Sequence, residues 1–135
     1  MNKTNGFTLI EIVVVMVLIA ILAVVAVPKY LDLTQEAKIA STQAALGAVR
    51  SALHITYAER AIDPNIGASF PSSLSASDFA TSTLPLNQIN GQSGIEVVNS
   101  APAGTTTSGS NGFWYMVSDG QAGAYSDGTI NTGNW

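Results

Sequence analysis

Few residues of this chain could do chemistry, and the most unusual of them is the carboxylate of Glu11. It lies in the stretch NGFTLIEIVVV, and from Ile12 to Val27 no residue has a polar side chain. An acidic group near the centre of a membrane-spanning helix costs about 2.5–3.5 kcal/mol, so it is rarely kept without a partner. The position of Glu11 therefore predicts a bound partner for this carboxylate.

A second pair of acidic residues lies near the other end of the sequence. The triplet Ser-Asp-Gly occurs twice, with Asp119 and Asp127 as its acids. Calcium prefers hard oxygen ligands on turns, and Asn131 and Asn134 could add carbonyl oxygens. Two carboxylates are few for a tight calcium site, so two ordinary Asp-Gly turns are the alternative. Calcium is the one cofactor that the sequence suggests, and no other metal site is predicted.

Enzymatic chemistry lacks its usual groups. The only histidine, His54, has no cysteine to accompany it, so a zinc site would lack ligands. The sequence contains neither a nucleophile elbow nor a glycine-rich phosphate loop with a lysine. We therefore predict that the protein is not an enzyme and that His54 lies on the polar face of a helix.

Composition limits the possible partners. The net charge is −4, and the five basic residues are not clustered. A nucleic-acid partner is therefore not indicated. Much of the apolar content precedes residue 60, so the second half could bury only a modest core of its own and must pack against a helix.

The element that positions Glu11 is an apolar segment from Phe7 to Val27, interrupted only by Thr8 and the glutamate itself. It is long enough to cross the ~30 Å hydrocarbon core of a membrane. A secretory signal cleaved after Ala26 and a plain single-pass anchor are two simple interpretations. Neither explains an acid placed five residues after Gly6.

The residues Gly6-Phe7-Thr8-Leu9-Ile10-Glu11, followed by an apolar run, resemble the class III signal of type IV pilins and type II secretion pseudopilins. The resemblance implies that a prepilin peptidase cleaves between Gly6 and Phe7 and N-methylates Phe7. Residues 1–6 would then be a leader and residues 7–27 a retained stem. Cleavage would create an amine on Phe7, with which Glu11 could pair in its own or an adjoining subunit. Capping of its own helix is the alternative role.

The residues after the stem predict a continuing helix. Pro28 removes one backbone hydrogen bond, so we expect a kink or a melted turn there. The side chains of Ile39, Leu46, Val49, Leu53 and Tyr57 follow one helical face, which makes residues 28–63 amphipathic. The helix should run from Phe7 to Ala61, because Asp63 precedes a proline and is disfavoured in the helical region.

Residues 64–135 form the predicted head. A short helical turn is expected at 75–80, and strands at 94–99, 113–117 and 123–125. Alternation within the second strand would direct Phe113 and Tyr115 to one face and Trp114 to the other. The predicted fold class is α+β: a long N-terminal helix whose second half packs on a small antiparallel sheet, in agreement with the pilin fold.

The resemblance implies a structural subunit that polymerises into a helical filament, with other pilin subunits, the prepilin peptidase, the assembly machinery and inner-membrane lipid as partners. The precursor would lie in the inner membrane and the product in an extracellular fimbrium. A type II secretion pseudopilin in a periplasmic pseudopilus is one alternative, since the chain lacks the paired C-terminal cysteines of many type IV pilins. A monomeric, membrane-anchored binding module is the alternative of another class.

Overall fold

The computed structural model of the protein describes residues 6–135. Of the predicted leader, residues 1–6, only Gly6 falls inside this range. Contacts within the chain divide it into two compact units, and the division falls between Ala37 and Lys38.

Helix α1 spans Leu9–Ile62. Its bounds lie within two residues of the predicted ones, and it ends before Pro64, as expected from the restriction on a residue that precedes proline. The helix is continuous through Pro28. The prediction of a melted turn at Pro28 was therefore wrong. Pro28 lacks an amide hydrogen and so removes one intrahelical hydrogen bond, but the helix continues on both sides of it. A kink at Pro28 stays a prediction.

The apolar face of the second half of α1 forms one side of the core in the unit after Ala37. Leu46, Val49 and Leu53 are fully buried there, while Ile39 and Tyr57 at the ends of the same face are partly buried. They pack with side chains of the sheet and of the preceding loop, which include Phe113, Tyr115 and Phe79. The predicted amphipathic face and its partner sheet are therefore confirmed.

The sheet has three strands in the order β1-β2-β3: β1 at Gly94–Val97, β2 at Asn111–Tyr115 and β3 at Ala122–Ala124. Strands β2 and β3 are antiparallel, whereas β1 and β2 are parallel. The α+β class is confirmed, and the prediction of a purely antiparallel sheet was wrong. Residues 98–110 form a connection long enough for a crossover, which a parallel pair requires.

The strand interior follows the predicted alternation. Phe113 and Tyr115 are fully buried, and Trp114 between them is only partly buried. The turn from β2 to β3 closes with a hydrogen bond from the Met116 amide to the Gln121 carbonyl at 2.9 Å. Gly120 adopts a φ of +71° in this turn, which glycine does without strain.

The loop before the sheet contains the predicted short helical turn, a 3-10 helix at Ala76–Asp78. Farther along this loop, the Asn87 side chain is fully buried against the helix and the sheet. Its Oδ1 accepts a hydrogen bond from the Thr42 hydroxyl of α1 at 3.2 Å. Its Nδ2 donates to the carbonyls of Gly112 and Tyr125, both at 2.8 Å. Asn87 thereby joins the helix, the loop and the sheet through one side chain.

Candidate functional site

The unit that ends at Ala37 presents a continuous apolar surface. All described residues from Gly6 to Val27 are exposed, and Phe7 retains 83% of its accessible surface. The helix that carries them is long and apolar enough to span a membrane. Exposed apolar area of this extent marks a contact with lipid or with other protein chains.

The start of this surface is organised by Thr8 and Glu11. A carboxylate oxygen of Glu11 accepts hydrogen bonds from the Thr8 amide at 2.7 Å and from the Thr8 hydroxyl at 2.8 Å. The Glu11 amide in turn donates to the Thr8 hydroxyl at 3.4 Å. This reciprocal arrangement is a capping box, with Thr8 before the first helical residue and Glu11 three residues later.

Within the chain as described, Glu11 therefore caps its own helix. The negative charge also lies next to the unpaired amides of the first turn, which favours it electrostatically. Two oxygens give a carboxylate about four acceptor positions, so the bonds to Thr8 leave capacity for a further donor. The sequence interpretation overlooked the role of Thr8, although the pattern Thr-x-x-Glu before an apolar run signals a capping box.

An open apolar depression lies beside this cap. Its lining comprises Phe7, Ile10, Glu11, Val14 and Val15. Phe7 is the predicted position of cleavage and methylation, and Glu11 is the predicted assembly residue. Both residues thus lie at one site. Gly6 is exposed and has no neighbouring heavy atom where a side chain would begin.

The two predicted calcium ligands each hold a separate turn. Oδ1 of Asp119 accepts from the Gln121 amide at 3.1 Å. Oδ1 of Asp127 accepts from the amide and hydroxyl of Thr129 at 2.8 and 2.6 Å, and these bonds lower the pKa of the Asp127 carboxyl. Among residues 6–135, no group of three or more acidic, histidine or cysteine side chains is arranged to hold a metal ion. Calcium binding at Asp119 and Asp127 stays a prediction.

His54 lies exposed on α1, as predicted, with its ring edge-on to Phe70 at a centroid distance of 6.2 Å. Arg50 lies one helical turn before His54 and is partly buried, although a residue on a polar helix face is expected to be exposed. Its Nη2 donates to the main-chain oxygens of Ala122 at 2.9 Å and Trp135 at 2.5 Å. Arg50 therefore ties the helix to β3 and to the segment that follows it.

Comparison with known proteins gives a family-model match and a similar protein. Residues 1–27 match the family model of the prokaryotic N-terminal methylation motif. A segment of 53 residues is 49% identical to the type IV narrow pilus major component PilA5 of Thermus thermophilus. This segment covers 39% of the chain and 46% of that relative, so the chain spans about half the length of the curated protein it matches. No solved structure matches the chain.

Proposed function

We propose that this chain is a type IV pilin, a structural subunit of a type IV pilus-like filament, and the methylation motif and the segment shared with a pilus component support this proposal. The observation that carries the proposal is the exposed apolar surface from Phe7 to Val27. Such a surface must be covered by lipid before assembly and by other stems after it. Subunits related by rotation and translation along one axis form an open, non-closing fibre.

Processing is the first step of this function. A prepilin peptidase would cleave after Gly6 and methylate the amine of Phe7, so the mature chain would begin with N-methyl-phenylalanine. Gly6 and Phe7 are exposed and precede the first helical residue, so they offer such an enzyme an accessible backbone. Mass spectrometry of the purified protein tests this step. A retained Met1, or a start after Ala26, would remove the basis of the proposed processing.

Assembly is the step in which Glu11 takes part. Cleavage places a positive amine on Phe7, beside the depression that both residues line. In a filament, the carboxylate would accept from the Phe7 amine of the adjoining subunit with the acceptor capacity that Thr8 leaves. Removing one partner of a buried ion pair costs about 3–5 kcal/mol, so this contact would fix the axial register of each new subunit.

Three variants separate the two roles of Glu11. Glu11→Ala removes both cap and charge, and we expect it to be inserted and cleaved but to assemble poorly. Glu11→Gln keeps an oxygen that can accept from Thr8 but removes the charge. Glu36→Ala is the matched control, because it removes an exposed acid of the same helix outside the apolar surface.

Filament yield is measured by shearing cells, electron microscopy of the sheared material and peptide identification. If charge pairing matters, Glu11→Gln assembles as poorly as Glu11→Ala, whereas Glu36→Ala gives normal yield. Normal yield from Glu11→Gln together with a loss in Glu11→Ala would restrict Glu11 to capping. Normal yield from both would exclude Glu11 from assembly.

The same experiments distinguish the alternatives. A type II secretion pseudopilin, favoured by the absence of cysteine from the sequence, would give no surface filaments, and its deletion would stop protein export. A monomeric anchored binding module would stay monomeric in size-exclusion chromatography of the intact protein in detergent. The proposed subunit acts without catalysis, first in the inner membrane and then in an extracellular fimbrium, with the assembly machinery and other pilin subunits as partners.

A further inference from the structure

A second site lies in the unit that begins at Lys38, and it shares no residue with the proposed assembly site. It is a pocket of about 350 Å³ between the outer face of the sheet, α1 and the final segment. Its principal lining residues are Arg50, His54, Pro102, Trp114, Gln121 and Trp135. This volume lies at the lower end of the range for small-molecule sites.

The two indoles give the pocket its apolar surface. The chain has two tryptophans, and both line this pocket. A Cβ atom at Gly123 of β3 would overlap the Trp114 ring, which shows that the ring lies directly over this glycine. Gly123 therefore allows the ring to lie against the strand, where it forms a flat wall. The face of an indole carries partial negative charge and attracts polarised C–H groups.

The polar groups of the pocket are mainly hydrogen-bond donors. Nη2 of Arg50 is engaged by the Ala122 and Trp135 oxygens, but its Nε and Nη1 have no partner within residues 6–135. Among those residues, no buried side-chain nitrogen or oxygen lacks a partner, so these two atoms of the partly buried arginine are open to solvent. By the same reasoning, the indole nitrogens of Trp114 and Trp135 are accessible.

The lining of the pocket contains no acidic side chain. None of the twelve lining residues is Asp or Glu, although the whole chain carries a net charge of −4. A guanidinium nitrogen with a free N–H makes a charge-assisted hydrogen bond to a carboxylate, which is stronger than a bond between neutral groups. A cationic ligand would meet Arg50 and would find no Asp or Glu side chain in this lining. A polynucleotide would require a run of basic residues, whereas the chain has five that are not clustered.

From these observations we propose that the pocket binds an acidic sugar, namely a hexopyranose ring that carries a carboxylate. The C–H face of the ring packs on the Trp114 indole, and the carboxylate accepts a charge-assisted hydrogen bond from Nη1 of Arg50. The hydroxyl groups of the ring form hydrogen bonds with the indole nitrogens and with the side-chain amide of Gln121. This site is independent of the proposed filament, since none of its residues belongs to the apolar N-terminal surface.

Intrinsic fluorescence tests the proposal directly, because both tryptophans line the pocket. The full chain in detergent micelles is titrated with sodium methyl β-D-glucuronide, with the neutral methyl β-D-glucoside, and with sodium acetate at equal ionic strength. We expect a saturable change with the glucuronide, an apparent Kd at least tenfold weaker for the glucoside, and no saturable change with acetate.

Two variants and one control assign the contacts. Trp114→Leu should abolish binding of both sugars, with Trp135 as the remaining reporter. Arg50→Gln should bring the affinity for the glucuronide down to that for the glucoside. Lys38→Gln, which removes an exposed cation of the same helix outside the pocket, should bind like the wild type. The comparison of the two sugars on the wild-type protein needs no variant, so it stands even if Arg50→Gln unfolds.

Three outcomes would overturn the proposal. Equal affinity for the two methyl glycosides would show that the carboxylate is not recognised. An equal response to acetate would reduce the site to binding of an adventitious ion only. Saturable binding of oligo-dT without a response to the glucuronide would make the pocket a nucleic-acid site.

Discussion

Asn87 should be the most sensitive polar residue of the head, because four groups depend on its side chain. The Thr42 hydroxyl and the Ile89 amide donate to its Oδ1, the latter at 2.9 Å. Its Nδ2 donates to the carbonyls of Gly112 and Tyr125. Both Asn87 and Thr42 are completely buried. In Asn87→Ala, these groups lose their partner inside the core.

The magnitude follows from how many of these groups keep another bond. The Gly112 carbonyl still accepts from the Tyr125 amide at 2.9 Å, and the Thr42 hydroxyl still accepts from the Gln88 amide at 3.0 Å. The Ile89 amide and the Tyr125 carbonyl lose their described partner. A buried group without a partner costs about 1–3 kcal/mol. With the cavity left by the side chain, we expect a loss of about 3–5 kcal/mol in the free energy of unfolding.

Thermal unfolding of the full chain in detergent, followed by tryptophan fluorescence, measures this loss. For a unit of this size, 1 kcal/mol corresponds to roughly 4–8 °C, so the midpoint should fall by at least about 12 °C. Asn90→Ala is the matched control. Asn90 also makes two hydrogen bonds to the main chain, to Asn111 and Gln92, but it is only partly buried, so water can replace it. The unfolding midpoint of Asn90→Ala should fall by less than half as much as that of Asn87→Ala.

A conservative variant sharpens the test. Asn87→Asp keeps the oxygen that accepts from Thr42 and Ile89, but it replaces the amide nitrogen with a second oxygen. This oxygen faces the carbonyls of Gly112 and Tyr125 and cannot donate to them. Asn87→Asp should destabilise the head at least as much as Asn87→Ala. Midpoints for Asn87→Ala and Asn90→Ala that agree within about 2 °C would refute the reasoning that burial makes Asn87 important.

Three further predictions concern the sheet and its turns. Burial, the hydrogen bond to Glu96 and the charge of that carboxylate raise the pKa of Tyr125 to about 12. The stability gained from its protonated form should therefore persist to about pH 10 and vanish as pH rises through 12. Tyr125→Phe should remove the last step of an absorbance titration at 295 nm. Hydrogen bonds from Thr129 lower the pKa of the Asp127 carboxyl. The contribution of this carboxylate to stability should therefore be present above about pH 3.9 and be lost as pH falls below it. Asp127→Asn should flatten the decline in melting temperature between pH 5 and 3. Gly123→Ala should displace the Trp114 ring, change its fluorescence and destabilise the head by about 1–3 kcal/mol, whereas Gly109→Ala, which has open space around it, should do neither.

The sequence alone determined the elements whose signals are local. Helix α1 follows from an apolar run joined to an amphipathic period, and its end follows from Pro64. The burial of Phe113 and Tyr115 and the partial exposure of Trp114 follow from the alternation of a strand. The N-terminal motif could be recognised from residue types and spacing, because all its residues lie in one short stretch. Thr8 could have been recognised in the same way from the pattern Thr-x-x-Glu.

The tertiary structure alone decided how these elements meet. The direction of β1 depends on the path of residues 98–110, and no periodicity within a strand encodes that path. Thr42 and Asn87 meet across 45 positions of sequence, and Arg50 meets Ala122 across 72. The pocket with both tryptophans exists only because these distant segments converge. Local patterns record which face of an element is apolar, whereas the partners of buried polar groups are set by the packing of the whole head.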